Sequence, residues 1–260
     1  MKQKRTVFVS SLFVAGALLV VFLSISCSEK LNLGSKSQQL NIVVVTGGHN
    51  FEAEPFFAMF DSFENVTYIE SKQKEQTDIF EDISNWNYDV IVLYNMNHNI
   101  TDKQKRNFVK LLEDGVGVVA LHHCIAAFRN WPEYKKIIGA KYYLNDSTER
   151  ERTENGRVYP VSSYKYGIDT EIKIENKNHS VMKGLKDFTV NEETYKNCVY
   201  EDDNKILATN DHPTGDRPIV WTRKYENAKV CYIRPGHDKN AYTHPAYRKL
   251  VSNAIKWSAK

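Results

Sequence analysis

"GVGVVALHHCIAAF" fills residues 115–128. Val116 to Leu121 is an unbroken apolar run, and two histidines and a cysteine follow it at once. A run rich in valine without polar alternation marks a strand buried on both faces, as in a parallel sheet under two layers of helix. In such sheets ligands bind beyond the carboxyl ends of the strands. His122, His123 and Cys124 therefore stand where this kind of fold places its chemistry. A cysteine nucleophile, a histidine-based site and plain packing are the three readings of the triplet.

The neighbouring segments repeat the pattern. "LNIVVVTGG" (40–48) and "YDVIVLYNM" (88–96) are solid apolar runs, and "NVTYIES" (65–71) reads as a further strand. Helical spacing appears between them. "EPFFAMFDSF" (54–63) has Pro55 suited to a first turn. "TDKQKRNFVKLLEDG" (101–115) has Thr101 and Gln104 at capping-box spacing, one apolar face of Phe108, Leu111 and Leu112, and Gly115 as a stop. "PEYKKIIG" (132–139) is a short helix opened by Pro132. "HPAYRKLVSNAIKWSA" (244–259) closes the chain with a face of Tyr247, Leu250, Val251, Ala254 and Trp257. Alternation of strand and helix predicts one three-layer α/β domain over residues 38–260 with a mostly parallel central sheet. Residues 141–178 are polar and read as an excursion from that sheet. "KILATN", "PIVWTRKY" and "AKVCYIRPG" are later strands, antiparallel in part.

The amino end is of another kind. Lys2, Lys4 and Arg5 precede an apolar stretch, Val7–Ile25, and then Ser26 and Cys27. Residues 1–26 read as a secretion signal, with an uncleaved membrane anchor as the alternative. "LSISC" is similar to a bacterial lipobox, with Ser24 rather than Leu three places before Cys27. The expectation is a lipid on Cys27, a polar tether over 27–37, and a protein held at a membrane on the periplasmic or outer surface. The full chain carries a formal charge of +3. The signal contributes all three of those charges, so the mature chain is neutral and shows no basic stripe. Nucleic acid is not an expected partner. Cys124, Cys198 and Cys231 are odd in number and lack CxxC spacing, which excludes a disulfide framework or a cysteine zinc site as the organising feature.

Three strand ends carry histidine: His49 in "TGGHNF", His122 and His123 in "ALHHC", and His237 with Asp238 in "RPGHD". Parallel strands would bring these to one edge. HxxxH and HExxH spacings are absent, so any divalent metal would be bound by residues gathered across the fold, with His49, His122 and His237 as ligands. Gly47 and Gly48 serve a tight turn or a close approach to ligand.

The chain resembles the ThuA-like family, named for trehalose utilisation. The stretches that carry the likeness include "VVTGGHNFEAEPF", "GVGVVALHHCIAAFRNWPEYKKIIGAKY", "NKNHSVMKGLKDFTVNEETY" and "AKVCYIRPGHDKNAYTHPAYRKLVSNAIKW". The resemblance implies a relative of the class I glutamine amidotransferases with a flavodoxin-like core. It also implies a role in sugar metabolism beside oxidoreductases that make keto-sugars. His122 falls where an amidotransferase has its nucleophile, His237 where it has its catalytic histidine, and Cys124 two residues late. Glutaminase activity is therefore not expected. The family's acidic pair, variable residue and tyrosine are matched by Glu192, Glu193, Thr194 and Tyr195.

These residues give the working expectation. His122, His237 and Glu193 carry acid–base or metal-assisted chemistry of a lyase, isomerase or hydrolase type on a sugar or keto-glycoside, with Glu193 as a fourth metal ligand. His49, His123, Phe128, Trp131, Tyr195, Asp238 and His244 bind substrate, the aromatic rings stacking on sugar C–H faces. Glu192 reads as a solvated loop charge. His244 with Thr243 also reads as a helix cap. A non-catalytic carbohydrate-binding lipoprotein is the alternative.

Overall fold

The computed structural model describes residues 39–74 and 78–259. The segment read as signal, lipidated Cys27 and tether lies outside the described residues. No helix among the described residues is long and apolar enough to cross a membrane.

Nine strands form one sheet. They are β1 (Leu40–Gly47), β2 (Val66–Gln73), β3 (Val90–Asn95), β4 (Gly117–Leu121), β5 (Ser163–Ile174), β6 (Phe188–Lys196), β7 (Lys205–Thr209), β8 (Pro218–Tyr225) and β9 (Ala228–Ile233). Their order is β2-β1-β3-β4-β9-β8-β7-β5-β6. The first five are joined by parallel pairings and follow the flavodoxin-like order. The last four join through antiparallel pairings. The expectation of a mostly parallel sheet is thus corrected: the sheet is mixed, with its two halves meeting at β9. The physical reason is that burial on both faces gives a strand the same apolar run whichever way it points. Residues 163–174 also leave the proposed excursion, since they form β5 in the main sheet.

Alternation within the buried strands divides the core. Ile42 and Val44 of β1, Val90 and Val92 of β3, and Val119 and Leu121 of β4 face one side. There they meet α1 (Ala53–Asp61) and the apolar stripe of Tyr247, Leu250, Val251 and Ala254 on the chain's last helix. Val43, Val45, Ile91, Leu93, Val118 and Ala120 face the other side and meet α2 (Asp102–Glu113) and α3 (Pro132–Ile138). Each fully buried large apolar side chain contributes about 1.5–3 kcal/mol, so the two faces together fix the three layers. A short α4 (Lys239–Tyr242) and then α5 (Pro245–Ser258) complete the chain.

The helix starts follow their sequence signals. Thr101 accepts from the Gln104 amide while the Gln104 side chain accepts from the Thr101 amide, closing the capping box of α2. Thr101→Ala is expected to lower stability by about 1 kcal/mol, to be read as a shifted urea midpoint with unchanged slope.

Candidate functional site

β1, β4 and β9 are in the parallel half, so their carboxyl ends lie on one edge, and the loops after them carry His49, His122–His123 and His237. Gly48 makes the first of these loops possible. Its φ is +73°, and a Cβ there would sit 2.6 Å from the Asn97 amide nitrogen. The close packing of the loop after β1 onto the chain after β3 accounts for this glycine without a ligand.

His122 is the first residue beyond β4 and holds φ +48°, a left-handed conformation costly for a residue with a Cβ. It is 1% exposed. Its Nδ1 lies 2.7 Å from the Arg234 carbonyl oxygen. A carbonyl only accepts, so Nδ1 carries a proton and Nε2 is the nitrogen turned to the site. Nε2 faces the Tyr195 hydroxyl at 2.9 Å, Glu193 Oε2 at 3.3 Å and His237 Nδ1 at 3.3 Å. His237 Nδ1 lies 3.5 Å from the same Glu193 oxygen. Burial pushes the Glu193 carboxyl up, but the hydrogen bonds and charges of the two histidines outweigh it and hold the group well below the carboxylate range. Its hydrogen bond to Glu193 raises His237 above the ordinary imidazole value, against the opposing effect of burial.

His123 is buried beside this group. Its Nε2 lies 3.2 Å from the Tyr94 carbonyl oxygen, so its proton is there, and its Nδ1 has no partner among the described residues. Burial, then the neighbouring His122 and His49, depress its basicity far below the usual value, so the ring is neutral. His49 stacks on it with ring centres 4.5 Å apart. His49, His123, Glu193, Tyr195 and His237 all line one pocket of about 350 Å³. Asp238 accepts at 2.9 Å from the Tyr166 hydroxyl, and Tyr166 lines the same pocket.

Three expected substrate-binding residues are placed elsewhere. Phe128 and Trp131 pack with Phe108 and Tyr134 in the core between sheet and helices. The chain turns inward after His122–Ala126, which draws both rings under α3 rather than toward the pocket. His244 accepts from the Ala246 amide as the cap of α5 and stacks on Phe188. His49, His122, Glu193 and His237 were expected as ligands. Among the described residues, only the last three bring donor atoms within 4.8 Å of one another.

Glu192 corrects its reading as a solvated charge. It lies on β6, where neighbouring side chains point to opposite faces, and is 1% exposed. Its Oε1 accepts from the amides of Gly236 and His237 at 2.9 and 3.1 Å. Burial raises its carboxyl above the ordinary value. Gly236 holds φ +134°, and a Cβ there would run into the Tyr247 hydroxyl. Glu192 thus sets the loop that carries His237. The alternation Val190–Glu192–Thr194 was the available signal, masked by consecutive polar residues. Arg234, Tyr142, Tyr164 and Tyr166 were missed as well. Arg234 is 2% exposed and donates to the Asp216 carbonyl at 2.7 Å.

Cys124 is fully buried, and burial pushes its thiol far above the range where a thiolate forms. The native protein is expected to resist alkylation at Cys124 with iodoacetamide, with modification appearing in the mass spectrum only after unfolding. Rapid native labelling would restore the nucleophile reading.

A family model described as ThuA, trehalose utilisation, matches residues 41–258. A solved ThuA-like protein from Parabacteroides merdae is 22% identical, with 86% of this chain and 91% of that one covered, at a TM-score of 0.67. Another from Bacteroides uniformis is 20% identical, covering 86% and 93%, at 0.59. A cytoplasmic protein from Salmonella typhimurium is 12% identical, covering 85% and 100%, at 0.55. At these identities the structural likeness is one of fold. No curated protein matches the chain.

Proposed function

The chain belongs to the ThuA family, described as trehalose utilisation, and from that premise we propose that it is an enzyme acting on a sugar or keto-glycoside at a divalent-metal site made by His122, Glu193 and His237. The observation that carries the metal is the triangle of donor atoms. Its sides are 3.3, 3.3 and 3.5 Å. These are long for hydrogen bonds, which fall at about 2.7–3.2 Å. Ligands about 2.0–2.1 Å from a tetrahedral ion stand about 3.3–3.4 Å apart. The spacing of these loose contacts also matches three ligands around a shared cation.

The chemistry of the donors agrees. With its Nδ1–H held by the Arg234 carbonyl, His122 would offer Nε2 to a cation, the arrangement in which a second hydrogen bond orients a ligating imidazole. Glu193 is ionised. A cation would take the place of the proton that His237 shares with Glu193. With Nε2 so committed, the Tyr195 phenol would turn its hydrogen to Glu193; burial first, and then the Glu193 charge, keep that phenol protonated far above the ordinary range. A divalent ion would act there as a Lewis acid on a carbonyl or hydroxyl oxygen. Glu193, ionised and lining the pocket, or His237 beside it would be the group to take a proton from the substrate next to that oxygen. Proton abstraction next to a sugar carbonyl is the step these groups can serve.

Elemental analysis of the purified protein tests the metal. About one divalent ion per chain is expected, and none in His122→Ala. A metal-free wild type that takes up no zinc or manganese would overturn it. Solvent deuterium entering the carbon beside the carbonyl of a keto-glycoside tests the chemistry. Glycoside binding without exchange would favour a binding protein. The leader and "LSISC" support export with a lipid on Cys27, and Cys27→Ala is expected to release the protein from membranes.

A further inference from the structure

The pocket has two chemistries. At its depth are His123, Tyr195 and Glu193, with the polar groups already described. The rest of the lining includes Met96, Ile125, Ala126 and Leu144, whose side chains cannot pair with a hydroxyl. Three more tyrosines complete it. The Tyr142 ring lies edge-on to Tyr195 at 5.3 Å. Tyr164 sits directly across from Tyr195 in the β5–β6 register and is 61% exposed. Tyr166 is 57% exposed, its ring 4.9 Å from His237. A register shift between Lys165 and Ile168 interrupts the pairing here, the kind of bulge that re-aims side chains. Large exposed rings that line a pocket mark a ligand-binding groove.

A second sugar ring fits this outer part poorly. Of the half-buried and exposed lining residues, Met96 and Leu144 offer its hydroxyls nothing and the Tyr166 phenol is already given to Asp238, which leaves the Tyr142 and Tyr164 phenols to serve a whole ring of hydroxyls. We propose that the site takes a glycoside whose aglycone is a flat apolar ring, such as an aryl group, with the sugar toward the histidines and the ring against Tyr164, Tyr142 and Leu144. This rests on the reading of the site as a sugar site.

Matched methyl and phenyl glycosides of glucose, galactose and mannose, both anomers, would be titrated calorimetrically into the full domain with zinc or manganese present. Trehalose and cellobiose would be run beside them. The phenyl member of the bound pair is expected to bind at least tenfold tighter than the methyl member. Tyr164→Ser, at an exposed position, is expected to shrink that preference below threefold. Tyr164→Phe should keep it. Equal affinity of phenyl and methyl glycosides, disaccharides matching the phenyl compound, or a preference that survives both Tyr164→Ser and Leu144→Ser would overturn the aglycone assignment and leave the sugar reading standing. Binding of none of the compounds would overturn the sugar reading and this inference with it, while ion uptake reports separately on the metal.

Discussion

Glu193→Gln is expected to strip the site of its divalent ion while leaving the fold intact. The substitution keeps shape and volume but removes the only carboxylate of the triangle. Glu193 makes up one corner, at 3.3 Å from His122 Nε2 and 3.5 Å from His237 Nδ1, and a neutral amide oxygen there holds a cation weakly. Affinity should fall by about 100-fold to 1,000-fold, or roughly 3–4 kcal/mol. Among the described residues Glu193 bonds no backbone amide, so the circular dichroism spectrum of the metal-free protein should be unchanged, while loss of a carboxylate held low by His122 and His237 should lower its urea midpoint modestly at neutral pH. Zinc titration of the two proteins decides the matter. Undiminished binding in the variant would place the ion elsewhere. Loss of deuterium exchange in a variant whose wild type never held metal would make Glu193 a proton-transfer group instead.

Glu192→Ala should do the reverse and damage the fold first. Glu192 accepts from two main-chain amides of the loop after β9. Alanine would leave both without a partner in a buried place, at about 1–3 kcal/mol for each buried group left unsatisfied, so roughly 2–6 kcal/mol in all. The same loop carries His237. Ion affinity should therefore drop by about 10-fold to 100-fold, the usual result of removing a group that orients a ligand. Glu192→Gln keeps an acceptor and should recover most of the stability, because the carbonyl oxygen of the amide can still meet Gly236. Chemical denaturation beside metal titration separates the two effects. A stable Glu192→Ala protein with a full-strength site would show that the loop holds itself.

The parallel half of the sheet was legible because its strands are buried on both faces and say so in solid runs of valine, isoleucine and leucine. Strand direction was legible only in part: the later strands were expected to be antiparallel in part and are, but a buried apolar run is the same signal whichever way it points, and direction between β8 and β9 is decided by the short turn at Glu226–Asn227. The histidines were found by their place after strands. His122 and His237 converge because β4 and β9 are adjacent and parallel. Glu193 converges with them from β6, at the far edge of the sheet, and only the family pattern pointed to it. Trp131 and Phe128 misled because an aromatic residue after a site motif looks the same in sequence whether it turns toward ligand or core. Glu192 misled because two adjacent carboxylates on a strand face opposite ways, and one of them bonds to the backbone.

The hydrogen bond from His122 Nδ1 ends on a main-chain carbonyl, that of Arg234. In many imidazole sites the same duty falls to an aspartate or glutamate side chain, which a single base change can erase. Here the acceptor belongs to the polypeptide itself and survives any substitution at position 234 that keeps β9 in place. The position of the proton is inherited with the backbone. The surrounding pocket wall is therefore free to drift toward new ligands across generations without resetting which nitrogen of His122 faces them.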